Sequence, residues 1–276
     1  MTERPAARRH AAWLDQLPSV VQELQRRWLL TLEPAWSRGE DGAAWVAPAH
    51  RDGVRMVLKI GMPHMEADHE IEGLRFWKGD PTVRLLEADA GLHALLLERC
   101  EPGAPLRDLP EAEQDVILAG LLRRLWRKPS VPHPFRTLST MLQSWGDETL
   151  AARAQWLDSG LLLAGLRLFE KLARPSPDDV LLATDLHAGN VLRAQREPWL
   201  AIDPKPFVGD RAYDATQHLL NCRARLAADP VATIRRFADL LDVDAERVRL
   251  WTFARMASEP RDSWTDEDLA LTRSLA

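Results

Sequence analysis

Leu181-Leu-Ala-Thr-Asp185-Leu-His187-Ala-Gly-Asn190-Val-Leu192 and, after a short polar turn, Trp199-Leu-Ala-Ile-Asp203 are the residues whose reading decides the fold. Two apolar segments, 180–183 and 199–202, each end in or beside a carboxylate, and the polar loop between them holds an amide. Apolar runs of four residues bounded by turn formers read as short buried strands. An aspartate just past each run then sits at a strand end and faces a cleft. Two carboxylates and one Asn converging there suit a hydroxyl that must lose its proton and a divalent cation held by oxygen ligands. Those are the requirements of phosphoryl transfer from a nucleoside triphosphate.

Upstream of this stretch the pattern is rich in strands. Trp13, Leu14, Leu17, Val20, Val21, Leu24 and Trp28 recur at three- and four-residue steps and predict an amphipathic helix over about 8–28. A strand over 30–36 follows, then Gly39 and Gly42, a strand over 43–49, a turn at Asp52-Gly53 and a strand over 54–60. Asp-Gly between two such runs is a strong hairpin signal. In the second strand Val54, Met56, Leu58 and Ile60 share one face, which leaves Lys59 on the other with Val57. A helix over 64–78 carries Glu70, Leu74 and Trp77 on one stripe, so Glu70 points inward and wants a cation; Lys59 is the nearest in sequence. Strands over 83–88 and 93–99 are joined by a turn at Asp89-Ala-Gly91, and Glu101-Pro-Gly103-Ala-Pro105 reads as the connector between two lobes.

Past the connector the period becomes helical. Asp108 and Glu111 have capping-box spacing before an apolar stripe, and helices are predicted over 137–157, 160–173, 213–221, 230–241, 244–257 and 266–275, the last capped by Thr265. The 276 residues are 46% hydrophobic, enough for a sizeable core. The net charge is −5 and no basic run occurs, which argues against a nucleic-acid partner. Cys100 and Cys222 read as two reduced thiols, and the start (Met1-Thr-Glu-Arg-Pro) lacks an apolar signal core. A cytoplasmic protein with no membrane partner, monomeric or weakly dimeric, is expected. His64, Glu66, Asp68 and His69 read as a solvated face. Most of the 11 tryptophans read as core. Trp145, Trp251 and Trp264 fall in the late helical region, as do the acidic residues Asp229, Asp239, Glu259, Asp262, Asp266, Glu267 and Asp268.

The chain resembles the kinase-like phosphotransferases of the aminoglycoside phosphotransferase family, in particular the streptomycin 6-phosphotransferase and hydroxyurea phosphotransferase branch. The resemblance rests on Val57-Leu-Lys59-Ile, His69-Glu70 leading to Trp77, Leu95-Leu-Leu-Glu98-Arg99 with Pro102-Gly103, Asp185-Leu-His187-Ala-Gly-Asn190, and Ile202-Asp203-Pro-Lys205 running into Gly209-Asp-Arg211 and Asp214. It implies an α+β, protein-kinase-like fold of two lobes: a small β-rich nucleotide lobe (1–99) and a larger, mainly helical catalytic and acceptor lobe (100–276). It further implies ATP and Mg2+ as cofactors and a small hydroxylated acceptor, with an aminoglycoside such as streptomycin expected. Asp185 would be the catalytic base; Lys59 would hold phosphates and pair with Glu70; Asn190 and Asp203 would bind the metal. Adenine would sit on a hinge over 96–100, including Glu98, Arg99 and Cys100, with His187 and Asp214 in support. The family usually writes His-Gly before the base, where this chain has Ala183-Thr184, and a β-branched residue tolerates positive φ poorly. Two alternatives stay open: a metabolic kinase for another acceptor, and a nucleotide- or ligand-binding protein without catalysis.

Overall fold

The hairpin that carries Lys59 turns at Asp52 and Gly53, whose φ values of 52° and 77° are the two left-handed conformations a tight two-residue turn requires. In the computed structural model, which describes residues 5–39, 43–261 and 263–276, the order up to this hairpin is α1 (Pro5–Arg27), β1 (Thr31–Leu32), β2 (Ser37–Arg38), β3 (Ala44–Arg51) and β4 (Val54–Gly61). It continues with α2 (Glu70–Trp77), β5 (Leu85–Asp89) and β6 (Ala94–Glu98). The strands form one antiparallel sheet in the order β1-β3-β4-β6-β5, with β2 pairing further along the same edge of β3 as β1. Met56, Leu58 and Ile60 of β4 bury one face of the sheet against Leu17 and Leu24 of α1 and Trp28 just after it. Lys59, paired in register with Val46 and Leu95, emerges on the opposite face.

The remainder runs α3 (Glu111–Leu125), α4 (Leu138–Ala151), α5 (Ser159–Leu172), β7 (Val180–Leu182), β8 (Val191–Arg193), β9 (Trp199–Ala201) and β10 (Phe207–Gly209). It closes with α6 (Arg211–Asn221), α7 (Arg223–Ala228), α8 (Pro230–Leu241), α9 (Ala245–Ser258) and α10 (Asp266–Leu275). The short strands do not form one sheet: β7 pairs with β10 and β8 with β9. Trp77, at the end of α2, is fully buried in the core of this helical part and donates from Nε1 to Leu125 O at 2.9 Å. No helix among the described residues is long and apolar enough to cross a membrane.

Several boundaries differ from the sequence reading. The predicted strand over 30–36 is instead two short pairings, β1 and β2, with irregular backbone between them. The helix predicted from 64 begins only at Glu70, because residues 65–69 form turns. Asp108 does not cap α3. It lies in a separate 3-10 turn, and the residue before α3 is Pro110, which has no side-chain cap to give. Thr265 and Asp268 do form a reciprocal capping box on α10. Residues 1–4, Gly42 of the expected glycine loop and Asp262 lie outside the described residues.

Candidate active site

Lys59 and Glu70 meet in a nearly dry setting, 8% and 3% exposed. Lys59 Nζ lies 2.7 Å from both Glu70 carboxylate oxygens and 2.5 Å from Asp203 Oδ1. Lys205 Nζ reaches the same Asp203 oxygen at 2.7 Å. Burial alone would push the Lys59 ammonium down and the Asp203 carboxyl up. The carboxylates of Glu70 and Asp203 reverse the first effect and raise Lys59 above its ordinary range. Lys59 and Lys205 reverse the second and hold Asp203 at about 2. Both groups are therefore fully charged at neutral pH.

Asp185 and Asn190 sit on the loop between β7 and β8. Asn190 donates from Nδ2 to Asp185 O at 3.1 Å, which fixes the amide and leaves its oxygen directed elsewhere. His187 accepts from the Gly189 amide at Nδ1, 3.1 Å away, so its ring shapes the loop. Burial raises the Asp185 carboxyl to about 6, against the pull of Lys205. The loop is braced from below by Asp214 on α6, which is 1% exposed and accepts from the amides of Ala183 and Thr184 at 3.0 and 2.8 Å. It also accepts from Trp126 Nε1 at 2.9 Å.

A cavity of about 800 Å3 opens beside these groups, with Lys59, Asn190 and Asp203 at one end and Leu97 to Cys100 at the other. Val57, Val83 and Ile202 give it apolar walls, the form a purine base requires. Leu96, the first hinge position named from sequence, is fully buried on the α1 side of the sheet and does not line the cavity. The Glu98 carboxylate faces away from a ligand role. It binds Arg196 twice, at 3.0 and 2.9 Å, and the Arg84 amide at 3.0 Å. Cys100 is no nucleophile, since burial and Glu98 push its thiol up to about 12.

The residues present fit a magnesium ion. Asp203 engages both lysines through Oδ1, so Oδ2 is available, and the amide oxygen of Asn190 borders the same cavity. A hard cation that keeps waters and completes its shell with phosphate oxygens needs no more protein ligands than these two. No cluster of three or more His, Cys, Asp or Glu suited to an all-protein metal site occurs among the described residues.

Asp185 itself does not line this cavity, and it contacts groups that the sequence reading did not assign. Gln217 of α6 donates to Asp185 Oδ1 at 2.7 Å. Arg255 of α9 binds Gln217 Oε1 at 2.7 Å and Glu259 at 2.9 and 3.0 Å. Glu66 is not on a solvated face: it is half-buried and accepts from Trp145 Nε1 at 2.9 Å. Asp68 of the same group pairs with Arg136. The acidic residues of the late helices scatter. Glu259 joins the site, Asp229 caps α8 and borders a separate depression with Asp239, and Asp268 caps α10. Trp251 is a core residue bound to Asp210, and Trp264 packs on Trp156. One signal was available in the sequence: Arg255 is the lone charge in Trp251-Thr-Phe-Ala-Arg255-Met-Ala-Ser258.

A family model described as aminoglycoside/hydroxyurea antibiotic resistance kinase matches residues 27–268. Streptomycin 6-kinase of Streptomyces glaucescens is 38% identical over 268 residues, covering 93% of this chain and 85% of that protein. Hydroxyurea phosphotransferase of Kitasatospora aureofaciens is 34% identical, covering 94% and 76% respectively. Among solved structures, choline kinase LicA of Streptococcus pneumoniae superposes with a TM-score of 0.62 at 11% identity over 94% of this chain and 97% of its own. Aminoglycoside phosphotransferase APH(4)-Ia gives 0.62 at 16% identity over 94% and 99%. At such identities these structures speak to the fold alone, which is kinase-like, with a small sheet lobe and a larger helical lobe.

Proposed function

The chain belongs to the aminoglycoside/hydroxyurea antibiotic resistance kinases, phosphotransferases with an alcohol group as acceptor, and from that premise we propose that it transfers the γ-phosphoryl group of ATP to a hydroxyl of streptomycin or a closely related aminoglycoside. One observation carries the reading: Lys59, Glu70 and Asp203 are joined by hydrogen bonds of 2.5–2.7 Å at the edge of a cavity shared with Asn190. Residues 1–99 serve as the nucleotide lobe and 100–276 as the catalytic and acceptor lobe. The base of ATP rests between Val57, Val83 and Leu97, along the hinge ending in Glu98, Arg99 and Cys100. Lys59, oriented by Glu70, meets the phosphates. Asp203 and Asn190 would hold Mg2+, which when bound neutralises the charge that develops on the phosphate oxygens.

Asp185 accepts the proton of the acceptor hydroxyl as the phosphorus–oxygen bond forms. A carboxyl near 6 is ionised at neutral pH yet basic enough to share that proton in transit. The Glu66 carboxylate, beside the Trp145 ring, favours an acceptor that carries cationic groups on a ring scaffold. ADP release with streptomycin and thermal shift with ATP and magnesium test the assignment together. Asp185→Ala is expected to lose turnover at least 1,000-fold, on the order of an activated base, while keeping the nucleotide-induced shift. Asp203→Ala loses both. Wild-type turnover in Asp185→Ala would rule out the proposed base.

A further inference from the structure

Arg255 is 3% exposed, and its guanidinium is a group with five donors and no acceptor. Those donors are directed at Glu259 (2.9 and 3.0 Å), the Thr216 hydroxyl (2.8 Å) and Gln217 Oε1 (2.7 Å). The Tyr213 and Trp145 rings lie 5.1 and 5.8 Å from its central carbon, which fixes the plane of the group. A donor-only neighbour decides which way round an amide sits. With Arg255 against one end, Gln217 must present its oxygen there and its NH2 to the other side, where it meets Asp185 Oδ1 at 2.7 Å. The reverse orientation would set NH2 against a guanidinium and a carbonyl oxygen against a carboxylate, two repulsive contacts in place of two hydrogen bonds.

We propose that Arg255, held by Glu259, is a positioning residue that locks the Gln217 amide and through it aims Asp185, so that Oδ1 is occupied and Oδ2 is the oxygen presented to the acceptor hydroxyl. This rests on Asp185 being the base. The chain of contacts Glu259–Arg255–Gln217–Asp185 runs through α9 and α6, two packed helices, and a base oxygen mounted on helices is held more narrowly than one left to its loop. Misplacing a reacting group by 1 Å costs on the order of 100-fold in rate.

The test compares wild type, Gln217→Glu, Gln217→Met and Asp185→Ala, with ATP, magnesium and streptomycin as the acceptor probe. Gln217→Glu keeps the volume and the acceptor for Arg255 but, when ionised, sets a carboxylate against Asp185 in place of the donor. Gln217→Met loses the donor without adding charge. Both are expected to lower kcat by about 10- to 100-fold, with KM for ATP and streptomycin within about twofold. The nucleotide-induced thermal shift stays at its wild-type value in both, since Gln217 does not line the nucleotide cavity. A Gln217 that merely packs against Arg255 predicts a fully active Gln217→Met, and wild-type kcat in either variant overturns the proposal. Should Asp185→Ala be inert while Gln217→Glu turns over normally, the positioning role fails and the base stands. If Asp185→Ala is itself active, the base assignment fails first.

Discussion

Thr184 holds φ at +48°, a left-handed conformation that a β-branched residue adopts at a cost of about 1–3 kcal/mol. Two contacts offset that cost. Its amide donates to Asp214, and its hydroxyl donates to Lys205 O at 2.6 Å. A third bond, from the Lys205 amide to Ala183 O at 2.9 Å, completes a short seam between the loop carrying Asp185 and the loop carrying Asp203. The family's usual glycine at this position would relieve the backbone but has no hydroxyl to give. The departure from the family pattern is therefore a trade of conformational ease for a tie between two loops. Thr184→Val retains the branching and loses the donor, leaving Lys205 O short of a partner, and is expected to cost about 1–3 kcal/mol. Thr184→Gly loses the same bond but sheds the strain, so it should fall within about 1 kcal/mol of wild type. Urea denaturation of the two variants side by side checks the difference; equal stability of Val and Thr would show that the hydroxyl bond contributes nothing.

At the scale of elements, α2 decides whether the sheet and the helical part share one groove. Its eight residues present Glu70 to Lys59 and send Trp77 into the far core, while Gly73 lies against the loop after β9. A methyl on Gly73 would come within 2.4 Å of Pro206 Cγ and 2.9 Å of the Trp77 ring. Alanine is the better helix former by about 1 kcal/mol, but overpacking against a proline costs about 1–3 kcal/mol, and the clash prevails. Gly73→Ala is expected to lower stability by about 1 kcal/mol and to weaken ATP–magnesium binding several-fold by pushing Asp203 out of line with Lys59. Calorimetric titration with nucleotide reads the second effect, and unchanged affinity would mean that α2 does not set the groove. Much of this element was legible: the stripe of Glu70, Leu74 and Trp77 is a local periodicity. The late start was not, because residues 65–69 are held by distant partners, Glu66 by Trp145 and Asp68 by Arg136, which no local pattern encodes. The Asp185–Asn190 loop was legible because Asp185, His187 and Asn190 fall within six consecutive positions between two short apolar runs. Gln217 and Arg255 were not, since Gln217 meets Asp185 across 32 residues of chain and Arg255 meets Gln217 across a further 38.

For the molecule as a whole, the helical part is closed by a charge that the proposed phosphoryl transfer does not use. Asp115 of α3 is fully buried and accepts from His218 of α6 (2.8 Å), Arg225 of α7 (2.8 and 2.7 Å) and Arg236 of α8 (2.9 Å). One carboxylate thus gathers four helices behind the face where α6 offers Asp214 and Gln217, so its loss should loosen the support of the site. Burial by itself would raise this carboxyl, but His218, Arg225 and Arg236 prevail and hold it well below its ordinary 3.8. A group depressed in the folded state contributes stability that is complete above about pH 4 and is lost as pH falls further, because the unfolded chain takes up the proton first. Asp115→Ala leaves the buried His218 ring without its acceptor, while Arg225 and Arg236 keep part of their surface in water, and should cost about 1–3 kcal/mol at pH 7. Measured by urea denaturation from pH 7 down to pH 3, the gap between wild type and Asp115→Ala should be constant to about pH 4 and then narrow, as the wild type alone loses this pairing. A gap that instead widens on acidification would reverse the sign of the shift and remove Asp115 as the anchor of the four helices.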